Sequence, residues 1–545
     1  MTWSEITGRL TIIWQAFMQP ENSIQNTGGN RYIALLRVIT QGKSKPLDEW
    51  ELTALLETNG LRDIDAITEW GENDLFALPK KLQGHIDSLT YETKERPFEK
   101  HRLWKIFKNY IKGAIFAFPM FIQIVAMIVV GFGIWSSINF GLREATAISV
   151  GTLLALATTG GIAQMIGRKG LFYIKFEEFL LASKITKRLY LMGVVFIILY
   201  ALLFTLINFY FKLFPFFMYQ LFIIYFFLLS FLFLIFAVFY MLENYGTIAL
   251  VTILGIVLIY IFLILLNFRL VKSQAISLII IVLISNLVAF YKIRRLEKKS
   301  QAEGTLLPKV ASLFYTLYPY FLYGSAYFLF LIMDRMLAWT TGHKQLPYVV
   351  WFNYPYEVGV DWALIPLMST IALVEVFIYE LGYAAFKKIN QTRAPDVKSF
   401  NRHFLRVYKI AGVTFFLVGI ISVILAYLFP YALRDMPYFF KFVDVFFNDI
   451  NLFVFFFASA GYVLLSWSLL NCIVFFAYSR HKFALKAIGL GLLTNFLVGF
   501  VLSRSFDYYY SVIGLLAGSI VFAVISTYYA YRFFKQYDYY YYSAY

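Results

Sequence analysis

Residues 217–241 read FMYQLFIIYFFLLSFLFLIFAVFYM, a run without a single charged side chain. A helix over such a run rises ~1.5 Å per residue, enough to cross the ~30 Å hydrocarbon layer of a bilayer. Inside that layer no water is present to satisfy backbone N–H and C=O groups, so only helices and closed barrels can span it. A barrel would show short alternating segments. This chain instead repeats long continuous apolar runs, and twelve spans are expected, at about 113–138, 146–167, 190–210, 217–241, 246–268, 274–291, 316–339, 361–383, 408–430, 450–478, 482–503 and 510–533. The predicted class is therefore all-α and polytopic. Composition agrees: 60% of residues are hydrophobic, and the mean hydropathy is +0.67, more apolar surface than one soluble core could bury.

Charge sets the orientation. Basic residues crowd into alternate connections, such as Arg168 to Arg188, Lys292 to Lys309, Lys387 to Lys409 and Arg480 to Lys486, and are sparse in the others. By the positive-inside rule the crowded side is cytoplasmic, which places both termini inside. The net charge of +16 is accounted for by these loops, which face anionic lipid headgroups, and no nucleic-acid partner is implied. The first span near residue 113 is expected to serve as an uncleaved signal.

Four segments follow: a soluble, mostly helical cytoplasmic domain over 1–112, a six-helix bundle over 113–292, a cytoplasmic linker over 293–315, and a second six-helix bundle over 316–545. In the first, DEWELTALLETNGL reads as an amphipathic helix stopped by Gly60, and DIDAITEW as another short helix. Each bundle opens on a proline, Pro119 in KGAIFAFPMF and Pro319 in FYTLYPYF. Prolines at matching positions suggest an internal repeat with hinge-forming helices, although membrane helices also tolerate proline without such a role.

Charges inside spans are few. Asp334 and Arg335 lie near the outer end of span seven. Either they sit at the interface with Arg335 reaching to headgroups, or Asp334 lines a hydrated cavity. Glu375 lies inside span eight, with Tyr379 one turn on and Glu380 rotated away. It is either a structural ion-pair partner of another helix or a protonatable group in a transport path. Gln164, Asn286 and Asn495 read as interhelical glue, and TTGG at 158–161 as a close-packing stretch. The abundant tyrosines, Tyr318, Tyr356 and Tyr379 among them, suit either interfacial belts or a path that stacks on sugars.

Several chemistries are not encoded. GKS at 42–44 lacks the upstream glycine of a phosphate-binding loop. The lone Cys472 forms no pair, and no His/Cys metal spacing exists. No cofactor and no metal are expected. A membrane-embedded glycosyltransferase would need Glu144 or Asp361 as its carboxylate, in outer loops that read as short. A small-molecule drug exporter remains open on the same architecture.

Taken in order, KGAIFAFPMF, TTGGIAQMIGR, YPYFLYGSAYFLFLIMDRMLAW, NYPYEVGVDWALIPLMSTIALVEVFIYELG and the closing QYDYYYY resemble the Pel exopolysaccharide transporter family (PelG-like). That family lies within the multidrug/oligosaccharidyl-lipid/polysaccharide exporter superfamily. The resemblance covers about 110–545, while the soluble N-terminal segment departs from it. It implies a MATE/flippase-like pair of six-helix halves in the bacterial inner membrane, and no catalytic residue. It also implies a polysaccharide or lipid-linked saccharide as cargo, with a cytoplasmic glycosyltransferase and inner-membrane biosynthesis proteins as partners. The residues expected on the transport path are Asp334, Arg335, Glu375, Tyr379, Glu380, Gln164, Tyr318 and Tyr356, with Pro119, Pro319 and Pro366 as hinges.

Overall fold

The computed structural model describes residues 28–40, 45–46, 48–89, 102–299, 307–341, 349–389, 396–435, 443–444 and 446–543. The GKS stretch at 42–44 lies outside them. Two compact units are present. One comprises Met1–Ile106, Tyr379–Val407 and Lys535–Asp538, and the other comprises Phe107–Ile378, Tyr408–Phe534 and Tyr539–Tyr545.

In the first unit the amino-terminal helices are α1 (Gly28–Thr40), α2 (Glu49–Thr58), α3 (Asp63–Trp70) and α4 (Leu78–Gln83). The Asp48 carboxylate accepts from Glu51 N at 2.9 Å and caps α2, satisfying a donor that the first turn leaves free. Gly60, at φ +92°, and Gly71, at φ +67°, then end α2 and α3 in the left-handed region, where a side chain would be strained. Leu36, Ile39, Leu52, Leu56, Ala66, Leu78 and Leu82 close a small apolar core. α2 and α3 thus form where the sequence places them.

The membrane helices are α5 (Arg102–Val130), α6 (Leu142–Lys175), α7 (Phe179–Phe211), α8 (Phe216–Met241), α9 (Tyr245–Tyr260) and α10 (Leu270–Glu297), followed by α11 (Val310–Trp339), α12 (Tyr354–Trp362), α13 (Leu364–Ile389), α14 (Val397–Ala432), α15 (Asp449–Ala477), α16 (His481–Ser505) and α17 (Ser511–Lys535); a short α18 (Tyr537–Tyr542) follows. Among the described residues, eleven helices are long and apolar enough to cross a membrane, taking α12 and α13 as one, and a bent α5 makes twelve. Strand pairing among the described residues amounts to one isolated bridge, Phe132 to Ser137. The chain is all-α, with a polytopic membrane architecture.

Several boundaries differ from the sequence reading. The limit at 112 falls inside α5, because the basic residues Lys105, Lys108 and Lys112 continue the helix instead of preceding it. The linker read as 293–315 is helical at both ends, since α10 runs to Glu297 and α11 starts at Val310. Span eight begins earlier, at Tyr354, as the short helix α12.

The three prolines behave differently. α5 bends by 66° between Ile115 and Phe118, where Pro119 can give no hydrogen bond to the carbonyl four residues back. α11 continues through the buried Pro319 as one helix. Pro366 stands in the first turn of α13, just after the interruption at Ala363, where a missing N–H costs least.

Within the second unit, the two halves pack internally in matching ways. A Cβ on Gly151 of α6 would lie 2.9 Å from Phe222 O of α8, and one on Gly359 of α12 would lie 2.8 Å from Asn451 O of α15. In each half, then, the second and fourth helices touch backbone to backbone at a glycine, as close approach in membranes requires.

Candidate functional site

The halves meet where α6 crosses α11. A Cβ on Gly161 would come within 2.5 Å of Ser325 Oγ and 2.7 Å of Phe321 O, and one on Gly324 would sit 2.6 Å from Gly160 O. TTGG therefore does the packing expected of it. Gln164 is exposed, and its Cγ lies 2.6 Å from where a Gly324 Cβ would be, so it borders this seam. One turn further, Arg168 covers the ring of Tyr320 at 5.4 Å.

Near the carboxyl end of α11 a polar cluster is buried among apolar helices. The chain leaves α11 at Trp339, whose carbonyl accepts from Trp351 N at 2.9 Å, and turns back into α12. Phe352 N donates to Thr146 Oγ1 of α6 at 3.0 Å. Arg504 of α16 holds the end of α11, donating to Leu337 O at 3.3 Å and Thr340 Oγ1 at 2.7 Å, a cation at the negative end of a helix. α12 starts with Pro355 in its first turn and presents Glu357 and Asp361, four residues apart and so on one face.

That face meets Arg335. Its Nη1 donates to Glu357 Oε2 at 2.5 Å and its Nη2 to Asp361 Oδ1 at 2.8 Å. Trp339 Nε1 donates to the other Glu357 oxygen at 2.9 Å. Asp334 is fully buried, and its Oδ2 accepts from the hydroxyl of Tyr356 at 2.6 Å. Its Oδ1 has no partner among the described residues. Arg335, only 11% exposed in its side chain, does not reach outward to headgroups: the two carboxylates hold it inside. Such groups are costly within lipid unless paired or hydrated, and here Arg335, Glu357, Asp361 and Asp334 each have at least one partner.

Asp334, Arg335 and Tyr356 thus come together. Glu375 does not join them, lying a further ~20 Å of helix rise along α12–α13. Lys112 of α5 places its Nζ 3.6 Å from Glu243 Oε1 and 4.0 Å from Glu375 Oε2, and 5.8 Å above the Tyr245 ring. Beside it a Cβ on Gly113 would be 2.7 Å from Ala372 O, so α5 and α13 touch directly. Glu380 pairs with Arg102 at 2.6 Å, with Tyr379 half-buried nearby. Tyr318 is 39% exposed on α11. Both Glu243 and Glu375 are substantially exposed, and pairs of this kind contribute about 0–1 kcal/mol. Replacing Glu375 with glutamine is therefore expected to leave the unfolding midpoint within a degree or two of wild type. A loss of several kcal/mol would make this contact a structural support instead.

Sequence reading missed Glu357 and Asp361 as partners of Arg335, Trp339 as a donor to Glu357, and Lys112 as a partner of Glu375. The signal lay in the i, i+4 spacing of the two acids, masked by Pro355 and Gly359, which mark a loop. Glu144, the other catalytic candidate, is spent on capping: its carboxylate accepts from Gly141 N at 3.1 Å at the start of α6. Among the described residues no group of three or more His, Cys, Asp or Glu side chains is arranged to hold a metal ion.

No known family profile matches the sequence, and no curated protein does. Solved structures do match. A mutant of the Vibrio cholerae MATE transporter VcmN shares 16% identity, with a TM-score of 0.54 over 79% of this chain and 95% of that one. A transporter of the MOP superfamily from Pyrococcus furiosus shares 14% identity, at TM-score 0.54 over 79% and 96%. The eukaryotic MATE transporter AtDTX14 shares 15%, at TM-score 0.51 over 79% and 99%. At these identities the likeness is one of fold, and the fold of this chain is that of the MATE transporters of the MOP superfamily.

Proposed function

We propose that the protein is an exporter of the bacterial cytoplasmic membrane, with both termini inside. It moves an exopolysaccharide or a lipid-linked saccharide outward by alternate opening of its two helical halves. The observation that carries this reading is the pattern of glycine contacts. Each half is packed within itself, Gly151 on α8 and Gly359 on α15, and the halves meet separately on the α6–α11 and α5–α13 seams. Two self-packed bodies joined along such seams can rock without unfolding. The tyrosines and phenylalanines suit sugar faces, and the ordered motifs of the Pel resemblance name the cargo class. Asp334 and Glu375 are the acids positioned to respond to an ion gradient, and the amino-terminal domain is suited to dock a cytoplasmic glycosyltransferase.

A second reading, drug export, is favoured by the solved neighbours, which include a multidrug resistance MATE transporter and a MATE transporter in complex with MaL6. One experiment separates the two. Deleting the gene is expected to abolish secreted polysaccharide while leaving tolerance to cationic dyes unchanged; the opposite pattern would replace saccharide with drug.

A further inference from the structure

We propose that Arg335 is a resident cation. Its guanidinium holds the Glu357–Asp361 carboxylate pair that an alkali-metal ion would need, and it leaves the proton, taken up at Asp334, as the exchangeable cation of the site. This rests on the exporter reading only for what the exchange drives; the ion preference belongs to the cluster itself.

Two carboxylates four residues apart on one helix, turned into a bundle, are the makings of a cation trap. Here the trap is filled from within the chain. Each terminal nitrogen of Arg335 takes one carboxylate, at 2.5 and 2.8 Å. Trp339 takes the remaining Glu357 oxygen at 2.9 Å. Both Glu357 oxygens are thus committed to donors. A guanidinium keeps its charge at any physiological pH, and being tethered it cannot be carried off with the gradient. A sodium or potassium ion would have to displace it and satisfy its donors elsewhere within lipid-compatible helices.

Asp334 is treated differently. It is the residue next to Arg335, yet the geometry gives the guanidinium to the other two acids. Its own partner is a neutral hydroxyl, Tyr356 at 2.6 Å, and its second oxygen has none among the described residues. The groups facing it are Arg335 on its own helix, Tyr356 and Glu357 from α12, and Tyr462 from α15. From α16, Arg504 is engaged on Leu337 and Thr340. Three carboxyl groups therefore share one guanidinium, and the one without an ionic hydrogen bond is fully buried. A buried carboxyl in that position is most cheaply neutral, with its proton, and becomes ionised when opening admits water.

The test uses the full chain in lipid nanodiscs, with thermal midpoints read in sodium, potassium and choline chloride at equal ionic strength. The wild type is expected to show the same midpoint in all three. Arg335→Met is expected to melt several degrees lower in choline and to regain stability in sodium or potassium, as the emptied carboxylate pair takes a free ion. Should that variant fail to fold, Arg335→Met with Glu357→Gln and Asp361→Asn, which removes both signs of charge, is expected to fold and show no cation response. A wild type stabilised by sodium or potassium, or an Arg335→Met protein equally unstable in every salt, overturns the proposal. In proteoliposomes an imposed pH gradient is expected to drive export at least tenfold better in wild type than in Asp334→Asn, and an imposed sodium gradient to drive none. Export driven by sodium would also overturn it. Absence of any saccharide export would defeat the exporter reading while leaving the nanodisc result to stand by itself.

Discussion

Replacing Glu357 with alanine is expected to destabilise the protein by about 3–5 kcal/mol, the range for breaking a buried ion pair by removing one partner. The loss comes less from the missing attraction than from what stays behind. Among the described residues Arg335 would keep one ion-pair partner, Asp361, which is 42% exposed in its side chain, and Trp339 Nε1 would lose the oxygen it reaches at 2.9 Å. A desolvated guanidinium with half its acceptors gone costs several kcal/mol in an environment without water. Arg335→Met combined with Glu357→Gln is expected to recover much of that loss, since it removes the orphaned charge. Thermal or denaturant unfolding in lipid nanodiscs checks both. An alanine variant within ~1 kcal/mol of wild type would mean that water already reaches Arg335.

The second large effect lies on the seam between the halves. Gly161→Ala is expected to cost about 1–3 kcal/mol and to reduce export severely, because the added carbon meets Phe321 O at 2.7 Å and Phe321 Cδ2 at 2.6 Å. The carbonyl belongs to α11 and cannot rotate aside, so α6 and α11 must separate. Gly167→Ala supplies the control on the same helix. Its Cβ would meet nothing within 4 Å, and alanine is the better helix former by about 1 kcal/mol, so that variant is expected to be neutral or slightly stabilising. Side-by-side unfolding and export assays decide it. Equal behaviour of the two variants would remove the seam from the mechanism.

Glu375 and Asp334 look alike in the sequence, each an acid set in an apolar run, yet their surroundings differ completely. Asp334 is enclosed by α12 and bonded to Tyr356, whereas Glu375 remains open and shares Lys112 with Glu243. Burial depends on which helices a face meets, and that is not written in the run itself. Pro119 and Pro319 make the same point. Both were legible as matching prolines, but one accompanies a 66° bend and the other is absorbed in an unbroken helix. A proline removes one hydrogen bond in either case; neighbouring helices decide whether the backbone bends to compensate.

The sequence by itself determined the class and the architecture. Runs such as 217–241 can satisfy their backbone in lipid only as helices, and the α2 and α3 caps follow from Asp48, Gly60 and Gly71, whose chemistry acts within a few residues. The glycine stretch at 158–161 also announced a close contact, though not its partner. What only tertiary structure decided is who faces whom: Arg335 with Glu357 and Asp361, Gly161 with Phe321, Lys112 with Glu375. Those pairings join residues 22 to 263 positions apart in the chain, and no local preference carries information over that span. They arise when helices that are each already stable choose, by shape and by the cost of leaving a charge alone, the neighbours against which they pack.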